Sequence, residues 1–150
     1  MTTQEYLGRI ARCENMIRLK SEEIARMDSL ICSTPPTAMN PDKVQSSMVG
    51  DRMSDAVVKL VDSQENMRDM ISGYLDLKNK IISEIESLPD IKSVTVLYGR
   101  YVLHKSNCEI ACDPCLNNCS ERRVKQLHRK ALDDFKEKYG EKYEKMEISY

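Results

Sequence analysis

Apolar residues recur at three- and four-residue spacing along the first third of the chain, which predicts a helix with one buried face. A seven-residue interval relates four isoleucines: Ile10, Ile17, Ile24 and Ile31. Thr2 and Glu5 have the spacing of a capping box at the start of this stretch. We therefore predict a first helix at about residues 3–32.

The same period returns from Asp51 and continues to Leu88. Its apolar stripe consists of Met53, Val57, Leu60, Met67, Ile71, Tyr74, Ile81, Ile85 and Leu88. Residues 33–50 contain three prolines, which oppose helix formation and predict a loop. A helix of this length spans about 55 Å and needs a partner helix, so residues 1–88 are predicted to form a long antiparallel, coiled-coil-like hairpin. Gln64 and Lys78 interrupt the stripe, either as tolerated polar positions or as residues that set register in a homodimer.

The rest of the chain predicts three shorter helices. The first has Pro89 in its first turn and ends near Leu103. Ser106 is expected to cap a very short helix with Ile110 and Ala111, and Ser120 a last helix that ends near Tyr139. These elements predict a helix-turn-helix domain at residues 89–139 and a tail at 140–150.

Composition supports an all-α fold and limits the function. The chain has no Trp, one Phe and five Gly, so it lacks the residues that sheets favour. A net charge of -1 excludes a uniformly basic nucleic-acid coat. The start lacks an export signal and charges break every apolar run, which predicts a cytoplasmic protein without a membrane partner. No phosphate loop, zinc-protease motif or catalytic triad is present, so an enzyme is not expected.

The helix that Ser120 caps carries a local basic patch. Between residues 120 and 130 lie Arg122, Arg123, Lys125, Arg129 and Lys130, together with Glu121, Gln126 and His128. The second helix of a helix-turn-helix enters the DNA major groove, where Arg and Lys read guanine, Gln reads adenine and Glu accepts from cytosine. The pattern therefore predicts binding to double-stranded DNA, and the alternative is an ordinary solvated face. Both His104 and His128 are expected to be exposed or to face DNA.

The C-terminal third also resembles a known module, the helix-turn-helix of sigma-factor region four. The resemblance runs through residues 96–102, Ser106, 109–111 and 119–132. More closely, the chain resembles small prophage proteins that carry this module behind a helical hairpin and are related to phage late-transcription regulators of the ArpU and RinA type. The hairpin matches at residues 42–44, 57–62 and 77–89.

This resemblance implies a phage transcription regulator in a bacterial cytoplasm, with promoter contacts from Glu121, Arg122, Lys125 and Gln126. It also implies contact with RNA polymerase and no catalytic residue. Together with the basic patch, it predicts a DNA-binding set of Glu121, Arg122, Arg123, Lys125, Gln126 and Arg129. The alternative is a protein-interaction adaptor whose helix-turn-helix docks on polymerase or another phage protein.

The chain departs from the family in the turn before the last helix, which is about three residues longer and carries Cys108, Cys112, Cys115 and Cys119. Four thiols at this spacing are compatible with zinc or an iron–sulfur cluster. The favoured interpretation is free thiols that fill the turn, in which case no cofactor is bound. A third interpretation is a redox sensor in which Cys112 and Cys115 form a disulfide that shifts the last helix.

Overall fold

A computed structural model describes residues 1–33 and 47–145 of the chain. Their elements are α1 (Thr3–Ser33), α2 (Ser47–Glu86), α3 (Ile91–Leu97), a π-helical turn (Tyr98–Val102), α4 (Asn107–Ala111), a 3₁₀ turn (Pro114–Leu116) and α5 (Glu121–Glu144). Since the described residues contain no strand, they confirm the all-α prediction. Among them, no helix is both long and apolar enough to cross a lipid bilayer.

The two long helices lie close to their predicted positions. At the start of α1 the capping box is formed, because Glu5 N donates to Thr2 Oγ1 and Thr2 N donates to Glu5 Oε2, over 3.2 and 2.6 Å. Helix α2 begins at Ser47 instead of Asp51 and ends at Glu86 instead of Leu88. The predicted loop is therefore wrong for residues 47–50, which lack proline, and its residues 34–46 lie outside the described part.

The chain divides into two compact units. Unit 1 contains residues 1–14 and 76–150, and unit 2 contains residues 15–75. The sequence had suggested boundaries at other places, after residues 88 and 139. Unit 1 has its own apolar core, formed by Tyr6, Leu7, Ile10, Ile81, Ile85, Leu88, Leu97, Ala131, Phe135 and Tyr143.

Helix α5 continues past its predicted end near Tyr139 to Glu144, so that prediction is wrong. The reason is Tyr143, which is 1% exposed and stacks on Tyr6 with 5.0 Å between ring centroids. Its hydroxyl also shares a hydrogen bond of 2.8 Å with the hydroxyl of Thr3. Residues 140–144 of the predicted tail therefore belong to α5, and Tyr143 among them belongs to the core of unit 1.

A buried hydrogen bond joins α1 to α2 inside unit 1. The Tyr6 hydroxyl donates to Glu84 Oε2 over 2.8 Å, and the two residues are 2% and 7% exposed. Nearby, Lys78 Nζ lies 2.7 Å from Glu14 Oε1. These pairs put residues 6 and 14 of α1 beside 84 and 78 of α2, so the two helices run antiparallel in unit 1.

This bond predicts a loss of stability at alkaline pH. Burial, followed by the hydrogen bond to Glu84, raises the pKa of Tyr6 above its usual 10.0. Because the pKa in the folded protein exceeds that of the unfolded chain, the contribution is complete below pH 10 and is lost as the pH rises, by up to about 1.4 kcal/mol per pH unit. Urea unfolding at pH 8 and pH 11 should therefore show a smaller loss for Tyr6→Phe than for the wild type. Equal losses would contradict this assignment.

Unit 2 is held together differently from unit 1. Its one buried residue among those described is polar: Gln64 is 5% exposed and donates through Nε2 to Asp28 Oδ1 over 2.7 Å. Both residues that interrupt the apolar stripe of α2 thus have partners within the chain: Gln64 binds Asp28 in unit 2, and Lys78 binds Glu14 in unit 1. No apolar side chain in residues 15–33 and 54–75 is buried. Several large ones are exposed: Leu19, Val58, Val61, Met70 and Leu75.

Candidate nucleic-acid interface

Helix α3 begins one residue after Asp90, whose side chain caps it. Lys92 N donates to Asp90 Oδ1 over 3.1 Å, and Asp90 has an extended backbone with a φ of -93° and a ψ of 111°. Pro89 therefore precedes the cap, and its predicted place in the first helical turn is wrong. Beyond Leu97 the chain continues as the π-helical turn to Val102, which agrees with the predicted end near Leu103.

The π-helical turn brings α4 close to the backbone at Gly99. A Cβ atom at this position would lie 3.1 Å from Ile110 Cγ1, so any larger residue would press against the Ile110 side chain. Helix α4 has the predicted cap: Glu109 N donates to Ser106 Oγ over 3.3 Å, and Ser106 N donates to Glu109 Oε2 over 2.7 Å. The cap and the glycine together determine where α4 starts and how closely it packs.

The connection from α4 to α5 contains a 3₁₀ turn that the sequence analysis missed. Its residue Leu116 is 6% exposed and belongs to a second apolar cluster. The members of this cluster are Val96, Ile110, Ala111, Leu116, Val124 and Leu127. After Leu116, Asn117 and Asn118 have left-handed φ values of 54° and 49°, which Asn tolerates better than most residues. The connection thus adds an apolar residue beneath α5.

Ser120 caps α5 as predicted, because Arg123 N donates to Ser120 Oγ over 3.3 Å. Val124 and Leu127 are 0% and 8% exposed, and through them one side of α5 packs against the second apolar cluster. The predicted DNA-binding residues are all exposed: Glu121, Arg122, Arg123, Lys125, Gln126 and Arg129. The structure therefore places the whole predicted set on the surface of one helix.

Within this set, the helical period separates a central face from a flank. The buried side of α5 is the one that carries Val124 and Leu127. At 100° per residue, the side opposite to it carries Arg122, Gln126 and Arg129, and Lys125 lies next to them. On the flank, Arg123 Nη1 donates to Gln126 Oε1 over 3.2 Å.

Beyond Arg129 the outward face becomes mixed in charge. It continues with Asp133, Lys136 and Glu137, all of which are exposed. The excess of positive charge is thus confined to the first half of α5, whose one acid is Glu121. In helix-turn-helix proteins, the N-terminal part of the second helix is the part that contacts base edges.

The two histidines lie in different surroundings. His128 is half-buried: its Nε2 is 3.2 Å from the Tyr101 hydroxyl, and the ring centroids are 5.8 Å apart. His128 is only partly exposed, so the expectation of an exposed ring is wrong, and burial lowers its pKa. His104 is exposed, as expected, and its Nε2 lies 2.7 Å from Glu14 Oε2.

The four clustered cysteines are free thiols. Cys108, Cys112 and Cys115 are exposed, and Cys119 is partly buried against the second apolar cluster. In residues 1–33 and 47–145, no group of three or more His, Cys, Asp or Glu side chains is arranged to hold a metal ion. The structure does not gather the four thiols into such a site, and zinc or an iron–sulfur cluster stays a prediction from their spacing.

The sequence analysis also missed a groove beside the basic face. It has a volume of about 480 Å³ and is lined by Asp90, Lys92, Arg123, Gln126, Leu127 and Lys130. Because Asp90 and Lys92 are some thirty residues from Arg123 in the sequence, only the packing of α3 against α5 reveals it.

Comparison of the chain with protein-family models, with curated proteins and with solved structures finds no match.

Proposed function

We propose that this protein is a sequence-specific DNA-binding transcription regulator in which α4, the connecting turn and α5 act as a sigma-region-four-like helix-turn-helix. The observation that carries the proposal is the exposed basic face on the first half of α5. Arg122, Gln126 and Arg129 form its centre and Lys125 its edge. The Ser120 cap and the buried Val124 hold this face rigidly on unit 1, which favours a specific fit to the major groove.

The proposal assigns different roles to the residues of α5. Gln126 is assigned to read adenine, Arg122 and Arg129 to read guanine, and Glu121 to accept from cytosine. Lys125 and Arg123 lie beside the central face and are assigned to phosphates. His128 is left out, because it packs against Tyr101.

The test is DNA binding by the wild type and by Arg122→Ala combined with Lys125→Ala. The wild type should enrich a discrete sequence from a library of random duplexes. On mixed-sequence duplexes Arg122 has no specific base to read, so it and Lys125 should each contact a phosphate. With a counterion-release slope of about 0.9 for each contact, the double variant should bind these duplexes about 30-fold more weakly at 0.15 M salt. Loss of base contacts should weaken binding to the enriched sequence further.

A matched control removes two exposed lysines of α2, outside the predicted set and away from α5, Lys59→Ala with Lys80→Ala. It changes the net charge by the same amount and should change the affinity much less. If the double variant and the wild type bind the enriched duplex equally well, the assignment fails.

A second part of the proposal is a homodimer formed through unit 2. Two helices that bury no apolar side chain between residues 15–33 and 54–75 gain little from packing, and isolated helices depend on such packing. A second copy would cover the exposed Leu19, Val61 and Leu75 and supply the missing helices of a four-helix bundle. Electrostatic repulsion does not oppose the pairing of two copies, because residues 15–75 carry nearly balanced charges, seven basic and nine acidic side chains.

The second candidate is the adaptor, whose helix-turn-helix docks on RNA polymerase or another phage protein. The exposed apolar residues of unit 2 favour it, because they are a further surface that suits a protein partner. The two functions differ in their salt dependence. A DNA-binding protein must lose affinity steeply as salt rises, whereas an adaptor shows no salt-dependent DNA affinity and purifies with its protein partner.

A further inference from the structure

The groove between α3 and α5 gathers cations from two separate elements. Lys92 comes from the first turn of α3, and Arg123 and Lys130 come from the first three turns of α5. Arg123 and Lys130 lie on the flank of α5, next to its outward face. Positive charge on α3 thus adjoins the surface that is proposed to enter the major groove.

One carboxylate, that of Asp90, shares this groove with the three cations. Its Oδ2 lies 3.2 Å from Lys130 Nζ, and the two side chains are 32% and 61% exposed. The backbone N–H of Lys92 and other hydrogen bonds lower the pKa of Asp90 from its ordinary 3.8, a value at which the carboxylate is already charged at neutral pH. The groove therefore has a net charge of +2, from three cations and one anion.

We propose that this groove binds a backbone phosphate of double-stranded DNA through Lys92, Arg123 and Lys130, and that Asp90 limits the affinity by engaging Lys130. The inference rests on the proposed DNA-binding function and adds two residues outside the predicted set, Lys92 and Lys130. It assigns Asp90 two roles, as the N-cap of α3 and as a negative charge that weakens binding at the edge of the interface.

These roles lead to opposite expectations for two neighbouring substitutions. Lys92→Ala removes a cation from the groove and should weaken DNA binding. Asp90→Asn removes the anion and should strengthen it, while the Asn side chain still accepts the N–H of Lys92 as an N-cap. Asp90→Ser, a second neutral N-cap, should give the same gain as Asp90→Asn.

The measurement is fluorescence anisotropy with a labelled 30-base-pair duplex of mixed sequence, between 50 and 300 mM salt. One phosphate contact contributes about 0.9 to the slope of log K against log salt, which corresponds to about five-fold in affinity at 0.15 M salt. The Lys92→Ala variant should bind the duplex about five-fold more weakly than the wild type, and the Asp90→Asn variant up to about five-fold more tightly. Lys80→Ala, an exposed lysine on α2 that does not line the groove, is the control and should change the affinity by less than two-fold.

Thermal unfolding of each variant shows whether a change in DNA affinity comes from a loss of folded structure. The higher affinity expected for Asp90→Asn cannot come from such a loss. The inference is overturned if Lys92→Ala and both Asp90 variants bind like the wild type while Arg122→Ala with Lys125→Ala is impaired. That outcome leaves the proposed function intact. If the wild type itself has no salt-dependent affinity for DNA, the proposed function fails and this inference fails with it.

Discussion

Phe135→Ala is expected to lower the free energy of unfolding by about 3–5 kcal/mol, the usual cost of removing a fully buried aromatic ring. Phe135 is 0% exposed and lies 6.1 Å from Tyr6 and 5.1 Å from Tyr139 between ring centroids. Because α1, α2, α3 and α5 all contribute to the core that contains Phe135, a cavity there weakens several helix contacts together. Urea unfolding monitored by circular dichroism measures the loss.

A matched control is Leu103→Ala, because Leu103 is 51% exposed and loses little burial on truncation. It should cost less than about 0.5 kcal/mol. Similar losses for the two variants would show that Phe135 does not lie in the core described for unit 1.

Val61→Glu combined with Leu75→Glu is expected to convert the proposed dimer into a monomer. The two residues are 40% and 41% exposed in the single chain and lie on one side of α2. In a two-fold dimer, four carboxylates would enter an apolar interface, and each unpaired charge costs several kcal/mol to bury. Light scattering coupled to size exclusion should give about 35 kDa for the wild type and 17.3 kDa for the variant.

Asn66→Glu is the control for this experiment, since it adds a charge on the opposite, exposed side of α2. It should leave the dimer intact. A monomeric wild type, or a double variant that remains dimeric, would contradict dimerisation through unit 2.

The features predicted correctly are those that neighbouring residues determine. Ser106 and Ser120 were identified as helix caps, because a capping side chain needs only a backbone N–H two or three residues ahead. The basic patch was also visible, since Arg122, Lys125 and Arg129 belong to one helix and the helical period places them.

The features that were missed depend on contacts between distant parts of the chain. The end of α5 was predicted five residues too early, at Tyr139 instead of Glu144, because Tyr143 is stabilised by Tyr6 and Thr3 at the other end of the sequence. Likewise, His128 was expected to be exposed, because its partner Tyr101 belongs to a different element and the sequence alone does not show that the two residues meet. No local pattern contains these contacts.

The sequence by itself determined the helical class of the described residues, most helix starts and the basic face of α5, since periodicity and capping act over one or two turns. Only the tertiary structure decided that residues 1–14 share a compact unit with residues 76–150, and that Lys92 and Asp90 border the flank of α5. The physical reason is that burial and electrostatic pairing depend on distance in space. Residues far apart in the chain meet only when the helices pack.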